Sequence, residues 1–95
     1  MALFVLTGLD KPDGLSLRLE IRQQHLDFIA ANREAIRAAG PFLNDAGDMC
    51  GSMLILETAD QTAATELAAK DPYAIAGLFE SVTLRPWKLA IGALA

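Results

Sequence analysis

His25 is the only histidine in the chain, and its neighbours decide what chemistry the sequence could support. An imidazole exchanges a proton near neutral pH, so a histidine facing a cleft is a candidate general acid or base. On a helix wheel at about 100° per residue, Ile21, Phe28, Ile29 and Ile36 fall within about 60° of His25, and Glu20, Gln23, Asp27 and Glu34 lie opposite. His25 therefore sits inside the apolar stripe. Arg18 lies about 20° from it and Arg22 about 60°, both toward the helix N-terminus, so two guanidinium groups share its side. Arginine keeps its charge, so on a core-facing stripe it needs a carboxylate, a bound anion or a route to solvent. Two readings follow. In one, His25 is a hydrogen-bonded core residue and the arginine stems cover sheet edges. In the other, the stripe lines an anion-compatible cleft where His25 moves a proton and an arginine holds the ligand's charge.

Asp71 is the strongest candidate for the matching carboxylate. Pro72 keeps it out of helical geometry, a rigid place from which to aim a side chain, although capping of the turn at Tyr73 is an equally ordinary use. Tyr73 offers a phenol to the cleft or packs as a plain aromatic. Ser52 lies in a strand without a glycine-serine-glycine elbow and reads as a hydrogen-bond donor to ligand, not as a nucleophile. Cys50, two residues away, shares its face, so either can line the cavity. With no basic neighbour in sequence, the thiol reads as buried and inert.

The rest of the composition narrows the setting. Ninety-five residues, 53% of them hydrophobic, describe one domain spanning 1–95. A mean hydropathy of +0.30 is more than so small a domain can easily hide, so part of its surface is expected to meet another subunit. Twelve acids against eight bases give a net charge of −4, the wrong sign for coating phosphate backbones, and no nucleic-acid partner is expected. Met1–Leu6 lacks the basic flank of a signal peptide, and no apolar stretch approaches a membrane span, so the expected setting is cytoplasmic. One cysteine and one histidine leave no internal disulfide and no zinc or iron–sulfur cage. They supply little for haem or flavin, so no metal and no cofactor are expected.

The elements that must position these residues are readable from pattern. Ala2–Thr7 is an unbroken apolar run ended by Gly8, a buried strand. Turn chemistry at residues 9–14 precedes a helix capped by Asp13, with help from Ser16, running to about Ala38 and closed by Gly40 and Pro41. A short strand at Phe42 and Leu43 turns at Asn44, Asp45 and Gly47 into a second strand, Met49–Glu57, as a hairpin. Asp60 caps a helix reaching Lys70, Asp71 and Pro72 stop it, and Tyr73–Leu78 is a short helical turn. Ser81–Ile91 is the last strand, and its Pro86 demands an edge position or a bulge. The order βαββαβ is α+β and ferredoxin-like: a four-stranded antiparallel sheet with two helices on one face. Its uncovered face is expected to pair with a second copy as a homodimer.

The combination Arg18-Leu19-x-x-Arg22-x-x-His25-Leu26, Ala39-Gly40-Pro41, Gly51-Ser52, Asp71-Pro72-Tyr73 with Ala76-Gly77-Leu78-Phe79, and Val82-x-Leu84-Arg85-Pro86-Trp87-Lys88 resembles the YciI-like (YCII-related) family along nearly the whole chain. The resemblance implies a dimeric α+β barrel in which sheets of two subunits pack together. It also implies that His25 and Asp71 are the active-site pair, that Arg22 is the motif arginine, and that Gly51 and Ser52 are the third-strand glycine and serine. The segment between Pro41 and Gly51 is shorter than in many members. The few members linked to chemistry are associated with dehydrochlorination or related lyase steps on ring compounds.

Together these residues suggest cofactor-free acid–base chemistry, an isomerisation or elimination on a small anionic or ring substrate. His25 and Asp71 are the catalytic pair, and Arg22, Arg18, Ser52 and Tyr73 the binding groups. A non-catalytic ligand-binding or regulatory dimer could use the same pocket, and a purely structural Arg-His-Asp set would tie helix to sheet without one.

Overall fold

The computed structural model describes residues 1–94. Strand β1 (Ala2–Asp10) is followed by helix α1 (Leu15–Ala31), strands β2 (Ile36–Leu43) and β3 (Met49–Thr58), helix α2 (Gln61–Ala68), the single turn α3 (Pro72–Ile75) and strand β4 (Phe79–Trp87). The four strands form one antiparallel sheet in the order β2-β3-β1-β4, the ferredoxin-like arrangement. Alternation sorts the side chains. Phe4 and Leu6 of β1 pair in register with Leu56 and Leu54 of β3, and with Ile36 and Ala64 they form the buried core under the helices. Phe28 and Ile29 of α1 and Leu67 and Ala68 of α2 pack onto it.

Two glycines let backbone and ring approach closely. A Cβ at Gly51 would lie 2.7 Å from the Gly8 carbonyl oxygen, and one at Gly8 would lie 2.8–2.9 Å from the Phe79 ring. Substitution at either would push strands or ring apart.

The sequence expectation fails at the ends of the long helix. α1 stops at Ala31, not near Ala38, because Asn32 folds back: its Nδ2 donates to the Phe28 carbonyl at 2.9 Å and its backbone N–H to Ile29. Gly40 and Pro41 do not close the helix. They lie inside β2, which begins at Ile36, six residues before Phe42, where the strand was expected. The apolar β3 needs a second neighbour, and β2 supplies it by antiparallel pairing from Ile36 opposite Leu56 to Leu43 opposite Met49, with the Arg37–Glu57 ion pair at 2.7 Å and, just ahead of the strand, the Glu57 N–H to Ala35 carbonyl bond at 2.7 Å. Tertiary pairing overrides the helix propensity of residues 33–39. Ile36, placed on the helical stripe by the wheel, is a core residue of a strand.

Asp13 is not the cap. Its φ of 61° puts it in the left-handed region of the preceding turn, and Gly14 occupies the cap position with no side-chain hydrogen bond, Ser16 included. Asp60 does cap α2, accepting from the Ala63 N–H at 2.8 Å. β4 runs from Phe79 to Trp87, not from Ser81 to Ile91, and as an edge strand it accommodates Pro86.

The face of the sheet away from the helices carries Leu3, Val5, Met53, Ile55 and Trp87, with Leu9 47%, Met53 38% and Trp87 39% exposed. β4 adds Ser81, Thr83 and Arg85 there, so the apolar surface centres on β1 and β3. No helix among the described residues is long and apolar enough to cross a membrane.

Candidate active site

Helix α1 delivers two polar residues to the buried side, Arg18 and His25, 2% and 8% exposed. Seven residues is nearly two full turns, so both point the same way about 10 Å apart along the axis. The α3 turn rises between them. Tyr73 is 1% exposed, its ring stacked on the imidazole with centroids 4.1 Å apart at 19°, while the Arg18 guanidinium carbon lies 4.5 Å from the same centroid. The phenol ring is thus wedged between guanidinium and imidazole. Phe79 meets it edge-on at 6.2 Å.

Asp71 does both things that the sequence left open. It is buried, its Oδ1 accepts the Tyr73 backbone N–H at 2.9 Å as the cap of α3, and the same oxygen lies 2.8 Å from His25 Nδ1. A carboxylate oxygen accepts, so Nδ1 is the donor of this contact, and in the neutral form of the ring the lone pair falls to Nε2. Nε2 has no hydrogen-bond partner among the described residues and is not sealed from solvent, and His25 is one of the residues that line a cavity.

Arg18 finds its carboxylate in Asp10, not Asp71. Its Nε donates to Asp10 Oδ2 at 2.7 Å and its Nη2 to Oδ1 at 2.8 Å, a bidentate pair with side chains 2% and 4% exposed. Nη2 also donates to Ser52 Oγ at 2.9 Å, leaving the serine hydroxyl proton free to point elsewhere. Burial works against the Arg18 charge, but the bond to Asp10 and its charge, with a smaller contribution from Tyr73, outweigh it and hold the guanidinium more firmly protonated than a free arginine. Burial pushes the Tyr73 phenol above its ordinary value of 10.0, against the opposing pull of Arg18 and Arg22. The phenol is therefore neutral and a donor at neutral pH.

These groups surround a cavity of about 230 Å³. Arg18, Arg22, His25, Ser52 and Tyr73 give it a polar side, and Leu26, Ile29, Pro41 and Met49 an apolar one. Arg22 is exposed at its rim and has no ion-pair partner among the described residues. All six residues singled out from the sequence, His25, Asp71, Arg22, Arg18, Ser52 and Tyr73, thus converge, Asp71 from behind the imidazole. Cys50 does not join them: it lines a neighbouring depression with Asp10, Lys11 and Asp48. Asp10 is what sequence reading missed. The signal was available, since period two from Phe4, Leu6 and Gly8 brings Asp10 to the helix-facing side of β1. Among the described residues no group of three or more His, Cys, Asp or Glu is placed to hold a metal ion.

Fold and site define a ferredoxin-like α+β domain with a buried His–Asp pair behind a small half-polar cavity. The profile of the YCII-related domain matches residues 2–88, and the chain belongs to that family. Protein YciI of Escherichia coli O6:H1 is 36% identical over 94 aligned residues, covering 90% of this chain and 96% of its own. An uncharacterized protein of Haemophilus influenzae is 32% identical over 93 residues, covering 90% and 95%. Among solved structures, 5-chloro-2-hydroxyhydroquinone dehydrochlorinase from Burkholderia phenoliruptrix AC1100, in complex with 2,5-dihydroxybenzoquinone, superimposes with a TM-score of 0.84 at 30% identity over 93% of this chain and 95% of that one. An antibiotic biosynthesis monooxygenase matches with a TM-score of 0.57 at 14% identity over 96% and 100%, a likeness of fold alone.

Proposed function

We propose that this protein is a small cofactor-free enzyme that uses the His25–Asp71 pair for acid–base chemistry of the lyase or isomerase type on a small, oxygen-bearing ring. The observation that carries the reading is the 2.8 Å contact between His25 Nδ1 and Asp71, which leaves Nε2 as the group turned to the cavity. In an elimination, Nε2 takes the substrate proton, and the electron pair left behind forms the new double bond. The leaving group departs as an anion with the electrons of its own bond. Asp71 holds the ring tautomer and lies beside the positive charge that His25 then carries. Arg22, the uncommitted cation at the rim, opposes charge building on a substrate oxygen, and the Ser52 and Tyr73 hydroxyls donate to it. Arg18 lines the same cavity, but its Nε and Nη2 are already held by Asp10 and Ser52, so its part in binding is the smaller. A 230 Å³ cavity lies below the roughly 300–1,000 Å³ of sites for drug-sized ligands and suits a single ring.

The structural relative's dehydrochlorinase activity and its bound benzoquinone support this choice of substrate class. The test is chloride release from 5-chloro-2-hydroxyhydroquinone by the purified protein. Turnover is expected, and His25→Gln should lower it by about 10²-fold or more with the fold intact. Undiminished release by His25→Gln would sink the assignment, and a ring compound bound tightly but recovered unchanged would favour a ligand-binding module.

The working unit in this reading is a cytoplasmic homodimer closed through the outer sheet face. Exposed Leu9, Met53 and Trp87, on the sheet face opposite the one on which the helices of the described residues pack, support it. Light scattering at micromolar concentration should return twice the subunit mass, and Met53→Glu should return the monomer.

A further inference from the structure

Asp10 is a buried carboxylate to which the acid–base chemistry gives no part. It ends β1 at a register irregularity between Leu9 and Asp10, and both of its oxygens are committed to Arg18. We propose that Asp10 is a positioning residue for His25, acting through Arg18 and the Tyr73 ring.

A single hydrogen bond at Nδ1 fixes one direction of an imidazole but leaves the ring free to tilt about that bond. Tilting swings Nε2 away from the cavity. The Tyr73 face at 4.1 Å removes this freedom, provided that Tyr73 is itself held. Its backbone is held by the Asp71 cap, and its far face by the Arg18 guanidinium at 4.5 Å. Arg18 in turn has a long, flexible side chain, and what stops it from swinging out is the bidentate grip of Asp10, helped by Ser52. Phe79 closes the edge of the Tyr73 ring, and it reaches there only because Gly8 has no Cβ. Asp10 thus sets the orientation of a ring that it never touches.

The functional consequence rests on the acid–base reading, but the test need not. Because His25 is the only histidine, its two ring carbon-bound protons give isolated nuclear magnetic resonance signals in the full-length protein. Stacked on Tyr73 they should resonate upfield of free imidazole. Asp10→Asn is expected to move them toward the free position. Tyr73→Leu should move them further, and in the Tyr73→Leu background Asp10→Asn should add nothing. Unmoved signals in a folded Asp10→Asn protein would overturn the proposal. So would an equal Asp10→Asn shift with and without the Tyr73 ring, since the effect would then bypass the stack. If Asp10→Asn does not fold, Asp10→Asn with Arg18→Gln leaves no unpaired buried charge. The same downfield movement is expected of that pair, and wild-type positions would overturn the proposal. Absence of chloride release by the wild type would count against the acid–base reading alone and leave these outcomes in force. Where turnover is present, Asp10→Asn should lower kcat and leave KM near the wild-type value.

Discussion

Removing Asp10 while Arg18 stays should be among the most damaging single changes in the chain. The pair is bidentate at 2.7 and 2.8 Å, with side chains only 2% and 4% exposed. Asp10→Ala would leave a permanently charged guanidinium among the Tyr73 ring, Ser52 and the core, with one of three hydrogen bonds remaining. Breaking a buried pair from one side costs about 3–5 kcal/mol, chiefly because the remaining charge is uncompensated. Small domains are stable by only about 5–15 kcal/mol, and each kcal/mol moves the melting temperature of one this size by about 4–8 °C. The expected fall in Tm is therefore at least about 12 °C. Urea unfolding should show a lower midpoint with an unchanged slope. Arg37–Glu57 is a control within the same chain: its side chains are 29% and 30% exposed, and Glu57→Ala should cost about 0–1 kcal/mol. Replacing both buried partners, Asp10→Leu with Arg18→Met, should recover most of the loss, because no lone charge remains. If Asp10→Ala cost no more than Glu57→Ala, Arg18 would not be the buried, Asp10-dependent group described above.

Asp71→Asn should separate cap from chemistry: asparagine caps about as well as aspartate, so stability should change by about 1 kcal/mol or less while chloride release falls by about 10²-fold. A marked drop in Tm would instead favour a structural tie. Arg22→Gln should leave the unfolding curve unchanged, because the side chain is exposed and unpaired, yet weaken binding of 2,5-dihydroxybenzoquinone measured by calorimetry. Tyr73 carries a prediction in alkali. Its folded phenol holds its proton above the ordinary value of 10.0, so above pH 10 the unfolded chain binds fewer protons than the native one and stability falls as pH rises. Tyr73→Phe should lose less stability than the wild type between pH 10 and 11 in parallel melts.

Much of this arrangement was legible in the sequence because burial and charge conflict openly there. Arg18 and His25 stand out as polar residues on an apolar stripe, and Asp71 is marked by Pro72, which fixes its backbone. The strand and helix order followed from period and caps, with Asp60 doing what its position suggests. The end of α1 was misread because residues 33–39 are individually good helix formers. The strand state of residues 36–39 is imposed by β3, which lies next to them only in the folded chain. Asn32 was the local clue, a residue suited to ending a helix. Asp10 was passed over because its partner is eight residues away across a turn, and only strand periodicity carried to the end of β1 reveals which way it faces. The dual use of Asp71 Oδ1 could not be read at all, since it depends on α3 meeting α1 at hydrogen-bond distance.

The central claim is that His25 presents an unprotonated Nε2 to the cavity while Asp71 holds Nδ1–H. Nitrogen-15 shifts of the single imidazole, recorded where the ring is neutral and then with 2,5-dihydroxybenzoquinone added, test this most directly. The expected result is an Nδ1–H tautomer whose Nε2 signal alone moves strongly with ligand. A ring found mainly as the Nε2–H tautomer, indifferent to the quinone and to Asp71→Asn, would contradict it.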